Sequence, residues 1–378
     1  MSIWNQYPPN YRANEVDEIT RAVCAGQCVS VVGLSGSGKS NLLGFIAHRI
    51  KTPETCPRFV LVDCNRLIES SPQALFRLMR RSLDRDTEPS PAQEPPLASP
   101  ADELAALDNL LSRQLANVTG ICFLLDRFEA LTEQGNFPII ASNLRALRDT
   151  HKYLLTYVTA TRRPIDHQTE LAELFFGRTL WLGPLSDSDA LWSARRDATR
   201  FSASTGEPWS EDALEKLVEL SWGYPSLLRA ACEAYAGGAA LELVELSAHP
   251  AITRRVSEFW ADDPSEDAVQ LSGLENHPLL AAGRAAAPGK KSFDTTSLTA
   301  KEILLLDYFL GHPGEVCEKD NLIRAIWPED VIFEQGIRDD SLAQLVRRLR
   351  VKIEPDPSEP THIHNVPGRG YLFKQTSD

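Results

Sequence analysis

Nowhere does the chain hold an apolar run approaching the ~18 uninterrupted residues of a membrane span, although 43% of its 378 residues are hydrophobic. A membrane-spanning helix is not expected on that ground, and no membrane partner is expected. The chain also lacks a C-x-x-C pair. Its seven cysteines are odd in number and scattered, which gives neither a disulfide framework nor zinc-finger spacing, so all are expected to be reduced. Basic charge is scarce: 39 Lys and Arg stand against 52 Asp and Glu, for a net charge of −13. A broadly basic surface is excluded, and any nucleic-acid contact must come from a local patch. Met1-Ser2-Ile3-Trp4-Asn5-Gln6 has neither the basic nor the apolar region of a secretory leader, so a cytoplasmic protein is expected. Internal repeats are missing too, and at about 100–200 residues per domain the length fits two or three ordinary domains.

What is present is concentrated first in Gly33-Leu34-Ser35-Gly36-Ser37-Gly38-Lys39-Ser40, which follows the apolar run Cys28–Val32 and precedes a helical pattern from Asn41. A triphosphate needs many donors close together, and glycines let the backbone fold tightly enough for successive N–H groups to converge on it. The helix that follows adds its positive N-terminal end. In the G-x-x-x-x-G-K-[ST] pattern the lysine reaches the outer phosphates and the hydroxyl residue holds Mg²⁺. Gly33, Ser35, Gly36, Ser37, Gly38, Lys39 and Ser40 are therefore the expected cradle for ATP, with Ser40 on Mg²⁺.

Further apolar runs, Arg58–Cys64, Ile121–Asp126, Tyr153–Thr159 and Thr179–Leu182, alternate with helical stretches. Five such runs describe a doubly wound parallel sheet, in which ligands bind at the C-terminal ends of the strands. Asp84 to Pro100, with five prolines, reads as an exposed insertion. Residues 1–185 are expected to form a P-loop NTPase core, 186–260 a helical lid, 261–297 a linker and 298–378 a separate module. The fold class is α/β with a C-terminal α+β domain.

Asp126, closing the third run, is the expected partner of Ser40 around Mg²⁺. Glu129, three residues on, either orients the attacking water or is a solvated residue at a helix start. In Thr159-Ala160-Thr161-Arg162-Arg163 an arginine is placed to sense a γ-phosphate. Together with Leu124-Leu125-Asp126-Arg127-Phe128-Glu129, Gly183-Pro184-Leu185-Ser186 and Gly223-Tyr224-Pro225, these pieces resemble the STAND class of signal-transduction NTPases, relatives of the AAA+ ATPases, over about Tyr11 to Trp260. The resemblance implies that Arg162 is the sensor, with Arg163 as second choice, that Pro225 borders the nucleotide, and that nucleotide state switches closed and open forms. Whether ATP is hydrolysed slowly or only sensed stays open.

In the C-terminal module, Thr299 and Glu302 are spaced as a capping box before Ile303, Leu304, Leu306 and Leu310. A second helix is expected near Lys319 to Ile326. In a third, Leu342, Leu345, Val346, Leu349 and Ile353 share one face, leaving Gln344, Arg347, Arg348 and Val351 outward. From Arg338 to Lys352 five basic and two acidic side chains give a net of +3, whereas Ser292 to Asp378 has ten basic against fifteen acidic, a net of −5. Runs His362–Val366 and Tyr371–Phe373 flank Pro367-Gly368-Arg369-Gly370 as a hairpin.

Leu298-Thr299, Glu302, Trp327, Arg348-Leu349-Arg350, Lys352 and Gly368-Arg369-Gly370-Tyr371 resemble the winged-helix domain of OmpR/PhoB-type response regulators. The resemblance implies that the third helix enters the major groove of DNA with Arg347, Arg348 and Arg350, and that Arg369 serves the wing. Asp339 and Asp340, and Pro367 in the wing, keep open a second reading, an NTPase scaffold whose winged helix binds a protein partner or a second copy. His362 and His364 share a strand face, and two ligands make no metal site. No phospho-acceptor receiver segment is visible, and nothing resembles the small-substrate pocket of a metabolic kinase. The leading expectation is an ATP-switched transcriptional regulator.

Overall fold

Val29–Val32 (β1) is buried at all four positions, as a strand covered on both faces must be. In the computed structural model, which describes residues 3–50, 56–67, 69–85, 97–175, 177–205, 208–284, 298–312, 314–327 and 338–374, it joins Arg58–Asp63 (β2), Ile121–Asp126 (β3), Leu155–Thr161 (β4) and Thr179–Trp181 (β5). All pairings in this sheet are parallel, in the order β2-β3-β4-β1-β5. The fourth strand begins two residues later than its apolar run, because Lys152–Leu154 forms a 3₁₀ turn. β4 lies between β1 and β3, so the segments leaving these three strands emerge side by side at the C-terminal edge.

Helices Ala13–Cys24 (α1), Lys39–Arg49 (α2), Pro72–Arg85 (α3), Pro100–Leu115 (α4), Glu129–Thr132 (α5) and Phe137–His151 (α6) belong to the same core. Helical spacing explains their faces: α1 buries Val16, Ile19, Ala22 and Val23, and α6 buries Phe137, Ile140, Ala141, Leu144 and Leu147. Leu75, Phe76, Met79 and Leu83 of α3 join Phe123 and Leu125 of β3 in one apolar cluster. Each such side chain contributes about 1.5–3 kcal/mol on burial. Most of the proline-rich insertion, residues 86–96, lies outside the described residues.

Asp187–Thr205 (α7), Glu211–Ser221 (α8), Pro225–Ala236 (α9), Leu243–Ala248 (α10), Pro250–Ala261 (α11), Glu266–Leu271 (α12) and Pro278–Arg284 (α13) follow. The last two fall within the stretch 261–297 that was expected as a linker, as short helices with buried Ala268, Leu279 and Leu280. They are too short to announce themselves by periodicity. The chain divides into two compact units, Met1–Arg196 with Gly223–Ser226 and Glu266–Glu275, and Asp197–Trp222 with Leu227–Ser265 and Asn276–Asp378.

The reduced-cysteine expectation is overturned for one pair. Cys24 and Cys56 form a disulfide with Cα atoms 4.7 Å apart. Cys24 ends α1 and Cys56 stands just before β2, so the fold brings together two residues separated by 32 positions. Sequence spacing carries no trace of such an encounter. Cys28, Cys64, Cys122, Cys232 and Cys317 are buried and stand outside the disulfide.

The second unit ends in Ala300–Gly311 (α14), Val316–Glu318 (β6), Lys319–Ile326 (α15), Arg338–Ile353 (α16), Ile363–Val366 (β7) and Gly370–Phe373 (β8). β6 was not anticipated; three residues are too few to show alternation. It completes an antiparallel sheet of order β6-β8-β7. Leu305, Leu306, Phe309, Ile323, Trp327, Leu345, Leu349 and Phe373 form its core with the three helices. The capping box is real: the Thr299 amide donates to Glu302 Oε2 at 2.7 Å. Three helices and a two-stranded wing braced by β6 make this a winged helix. No helix among the described residues is long and apolar enough to cross a membrane.

Candidate nucleotide site and nucleic-acid face

The loop from Gly33 to Gly38 leaves β1 at the sheet's C-terminal edge, with the Gly33 amide bonded to Thr161 O at the end of β4 (3.0 Å). Gly36 (φ 82°) and Gly38 (φ 87°) take left-handed conformations that side chains disfavour. A Cβ on Gly33 would lie 2.5 Å from Ser37 Oγ. Lys39 opens α2 and donates from Nζ to Gly33 O (2.5 Å) and Leu34 O (3.3 Å), so its ammonium lies inside the curl of the loop.

Ser40 Oγ donates to Asp126 Oδ1 at 3.1 Å, which brings together the two residues assigned to Mg²⁺, one from the first turn of α2 and one from the end of β3. Asp126 pairs in register with Asp63 on β2. Burial raises the pKa of Asp126 to about 6; the Arg127 charge and the Ser40 hydroxyl pull it down, and Asp63 and Glu129 push it up. A carboxylate held this far from comfort in its charged form favours a cation beside it. Glu129 begins α5, and its Oε1 lies 3.3 Å from Arg162 Nε, one residue beyond β4. The other oxygen, Glu129 Oε2, is buried without a hydrogen-bond partner, as is Ser37 Oγ.

These residues fit a magnesium nucleotide: glycine conformations that close a loop, an ammonium within it, a hydroxyl against a carboxylate, and two orphaned polar atoms beside them. Pro225, expected at the nucleotide's border, lies against the loop, its Cγ 3.5 Å from where a Gly38 Cβ would stand.

Sequence reading missed several residues here. Arg12 is 2% exposed and donates through Nη2 to Ser37 O (2.9 Å) and Gly183 O (3.0 Å), and through Nη1 to Glu15 (2.6 Å). Its own amide donates to Asp189 Oδ2 (2.9 Å). Tyr224 hydroxyl donates to Ser35 O (2.7 Å), and the Ser226 amide to Gly36 O (3.2 Å). Arg127 adopts φ 54°, and its amide donates to Asp126 Oδ1 (3.0 Å). A Tyr11-Arg12 pair before a helix and a serine after Pro225 were the available signals. Neither residue type reveals its target carbonyl.

On α16, Arg347 and Val351 are exposed, whereas Gln344 and Arg348 are half-buried. Arg350, expected at DNA, donates from Nη2 and Nε to Ile363 O (2.7 and 3.2 Å), tying α16 to β7. Lys352 donates to Glu302 Oε2 (2.7 Å). Arg369, in the wing turn, is exposed and lies 3.8 Å from Glu318. The side chains of Asp339 and Asp340 lie outside the described residues. His362 Nδ1 lies 3.2 Å from Lys374 O and His364 Nε2 3.0 Å from Thr361 O, both within the hairpin's own hydrogen bonding. Glu354 accepts from the amides of Thr361, His362 and Ile363 and so fixes the helix-to-wing turn.

Residues 294–373 match the family described as "Transcriptional regulatory protein, C terminal". The chain is 32% identical over 135 residues to the uncharacterized transcriptional regulatory protein YcbL of Bacillus subtilis (strain 168), covering 34% of this chain and 54% of that protein. It is 34% identical over 128 residues to the sensory transduction protein RegX3 of Mycobacterium tuberculosis (strain H37Rv), covering 32% and 50%. The chain thus spans about half the length of the curated relatives it matches. Among solved structures it is similar to the Walker-type ATPase paby2304 of Pyrococcus abyssi, at 15% identity and a TM-score of 0.43, over 96% of this chain and 92% of that one. The family match and the helix–wing architecture define the C-terminal module as a winged-helix domain of the transcriptional-regulator type.

Proposed function

We propose that this chain is a DNA-binding transcription regulator whose affinity for DNA depends on the nucleotide held by its phosphate loop. The observation that carries the reading is the Ser40–Asp126 contact beside Lys39, on the same chain as a regulator-type winged helix. Gly33 to Ser40 would hold the phosphates of ATP, with Ser40 and Asp126 on Mg²⁺. Bound magnesium would neutralise phosphate charge. Glu129 would hold a water, and Arg162, paired with it, would register the terminal phosphate. STAND-type switching is the form of coupling that the Arg162 turn and the Gly223-Tyr224-Pro225 element support.

Arg347, on the open face of α16, and Arg369 of the wing would meet DNA, with Arg348 at the edge of that face. Arg350 would serve indirectly, by holding helix and wing together. Enrichment of random duplex DNA on the purified protein tests the DNA half of the reading. A sequence recovered with ATP and Mg²⁺, whose binding weakens steeply with salt, is expected. No nucleic-acid affinity at low salt would favour a winged helix that binds a protein partner.

A further inference from the structure

Three consecutive carbonyls of the phosphate loop are gripped by groups outside it: Ser35 O by the Tyr224 hydroxyl, Gly36 O by the Ser226 amide and Ser37 O by the Arg12 guanidinium. In a planar trans peptide the carbonyl and the next residue's N–H point in opposite directions. Fixing these three oxygens therefore fixes the amides of Gly36, Ser37 and Gly38. The Ser37 amide closes the loop on Leu34 O at 3.2 Å. Those of Gly36 and Gly38 are turned away from Tyr224 and Arg12.

We propose that Tyr224 and Arg12 are positioning residues for phosphate: they touch no ligand themselves, and they hold the loop's amides in the orientation a polyphosphate needs. This deepens the nucleotide reading and rests on it. The two grips are unlike in kind. Tyr224 is fully buried and supplies one hydroxyl. Arg12 is buried in a left-handed conformation (φ 48°) and spreads one guanidinium over Ser37 O and Gly183 O while its amide holds Asp189. Loop and strand exit are thereby joined through one guanidinium, and the start of α7 through the same residue's amide. A preformed cradle avoids the ordering cost that a slack glycine-rich loop would incur on binding. Glycines permit the required dihedrals without enforcing them, so an external clamp is what such a loop needs.

The test compares the full-length wild type with Tyr224→Phe, which removes the hydroxyl and keeps the ring, and with Arg12→Lys, which keeps the charge but loses the fork. Binding of ATP and of inorganic tripolyphosphate is measured by calorimetry, and hydrogen exchange of the peptide spanning residues 33–40 reads the loop. Tyr224→Phe is expected to weaken both ligands about three- to tenfold, the worth of one hydrogen bond. Exchange should accelerate in the loop and not in β3 or β4. Faster exchange with unchanged tripolyphosphate affinity would overturn the proposal, since Tyr224 would then be structural only. Unchanged exchange and unchanged affinity in both variants would overturn it equally. Wild type that binds neither ligand would instead remove the nucleotide reading on which it stands.

Discussion

The guanidinium of Arg162, just beyond β4, stands 3.3 Å from the carboxylate of Glu129 at the start of α5. Because β4 lies between β1 and β3, this pair sits at the same sheet edge as the phosphate loop and Asp126. An arginine that reached a terminal phosphate from here through its Nη groups would share its charge between phosphate and Glu129, which would link sensing to that carboxylate. Arg162→Ala is expected to weaken ATP about tenfold while sparing ADP, and Glu129→Gln to bind both normally. Fluorescent-nucleotide titrations check this, and equal effects on ATP and ADP would dissociate Arg162 from the γ-phosphate.

Lys39 lies within the loop, on Gly33 O and Leu34 O. Lys39→Ala removes the ammonium and leaves the strand and helix packing untouched. ATP affinity should fall by at least about tenfold, with the far-ultraviolet circular dichroism spectrum unchanged.

The arginines of α16 separate into two kinds. Arg347→Ala should lower the slope of log affinity against log salt by about one and leave stability alone. Arg350→Ala strips two hydrogen bonds from Ile363 O, so its first effect should be on thermal unfolding of the winged helix, by about 1–2 kcal/mol. Reversal of these two behaviours would mean that the outward face of α16 is misassigned.

Much of this was legible in sequence. Strands of a covered parallel sheet write short, mainly apolar runs, and β1 to β5 each coincide with one within two residues. The loop was legible because glycine, lysine and serine at fixed spacing have few structural uses. What escaped notice depends on the meeting of distant segments: Arg12 with Ser37, Tyr224 with Ser35, Cys24 with Cys56. Arg350 shows the same limit, for on a helical wheel it is one more basic residue, and only the path of β7 turns it inward.

Glu354 offers a pH signature. Burial pushes its carboxyl up, but the amides of Ile363, His362 and Thr361, with the Thr361 hydroxyl, outweigh that and hold it below the ordinary glutamate value of 4.5. A carboxyl that titrates lower when folded contributes fully above the unfolded value, and the contribution is lost as pH falls through the folded one. Glu354→Gln should therefore cost about 2 kcal/mol at pH 7 and flatten the loss of winged-helix stability below pH ~4.5. Denaturant unfolding across pH reads both.

The disulfide closes a loop that contains β1, the phosphate loop and α2. Cys24→Ser should destabilise the core by about 3–4 kcal/mol in a chain-entropy estimate for a loop of roughly 32 residues. Thermal unfolding with and without reductant checks this, since reductant should lower the wild-type midpoint and leave the variant unmoved.

The central claim is that one chain couples its nucleotide to its hold on DNA, and coupling requires that DNA affinity differ between nucleotide states. The direct measurement is fluorescence anisotropy with an enriched duplex, titrated with full-length protein in saturating ATP and Mg²⁺ and again in ADP and Mg²⁺. The account predicts dissociation constants differing at least about fivefold in the wild type, and a single constant for Lys39→Ala whichever nucleotide is present. Equal wild-type affinity in the two nucleotides would contradict it.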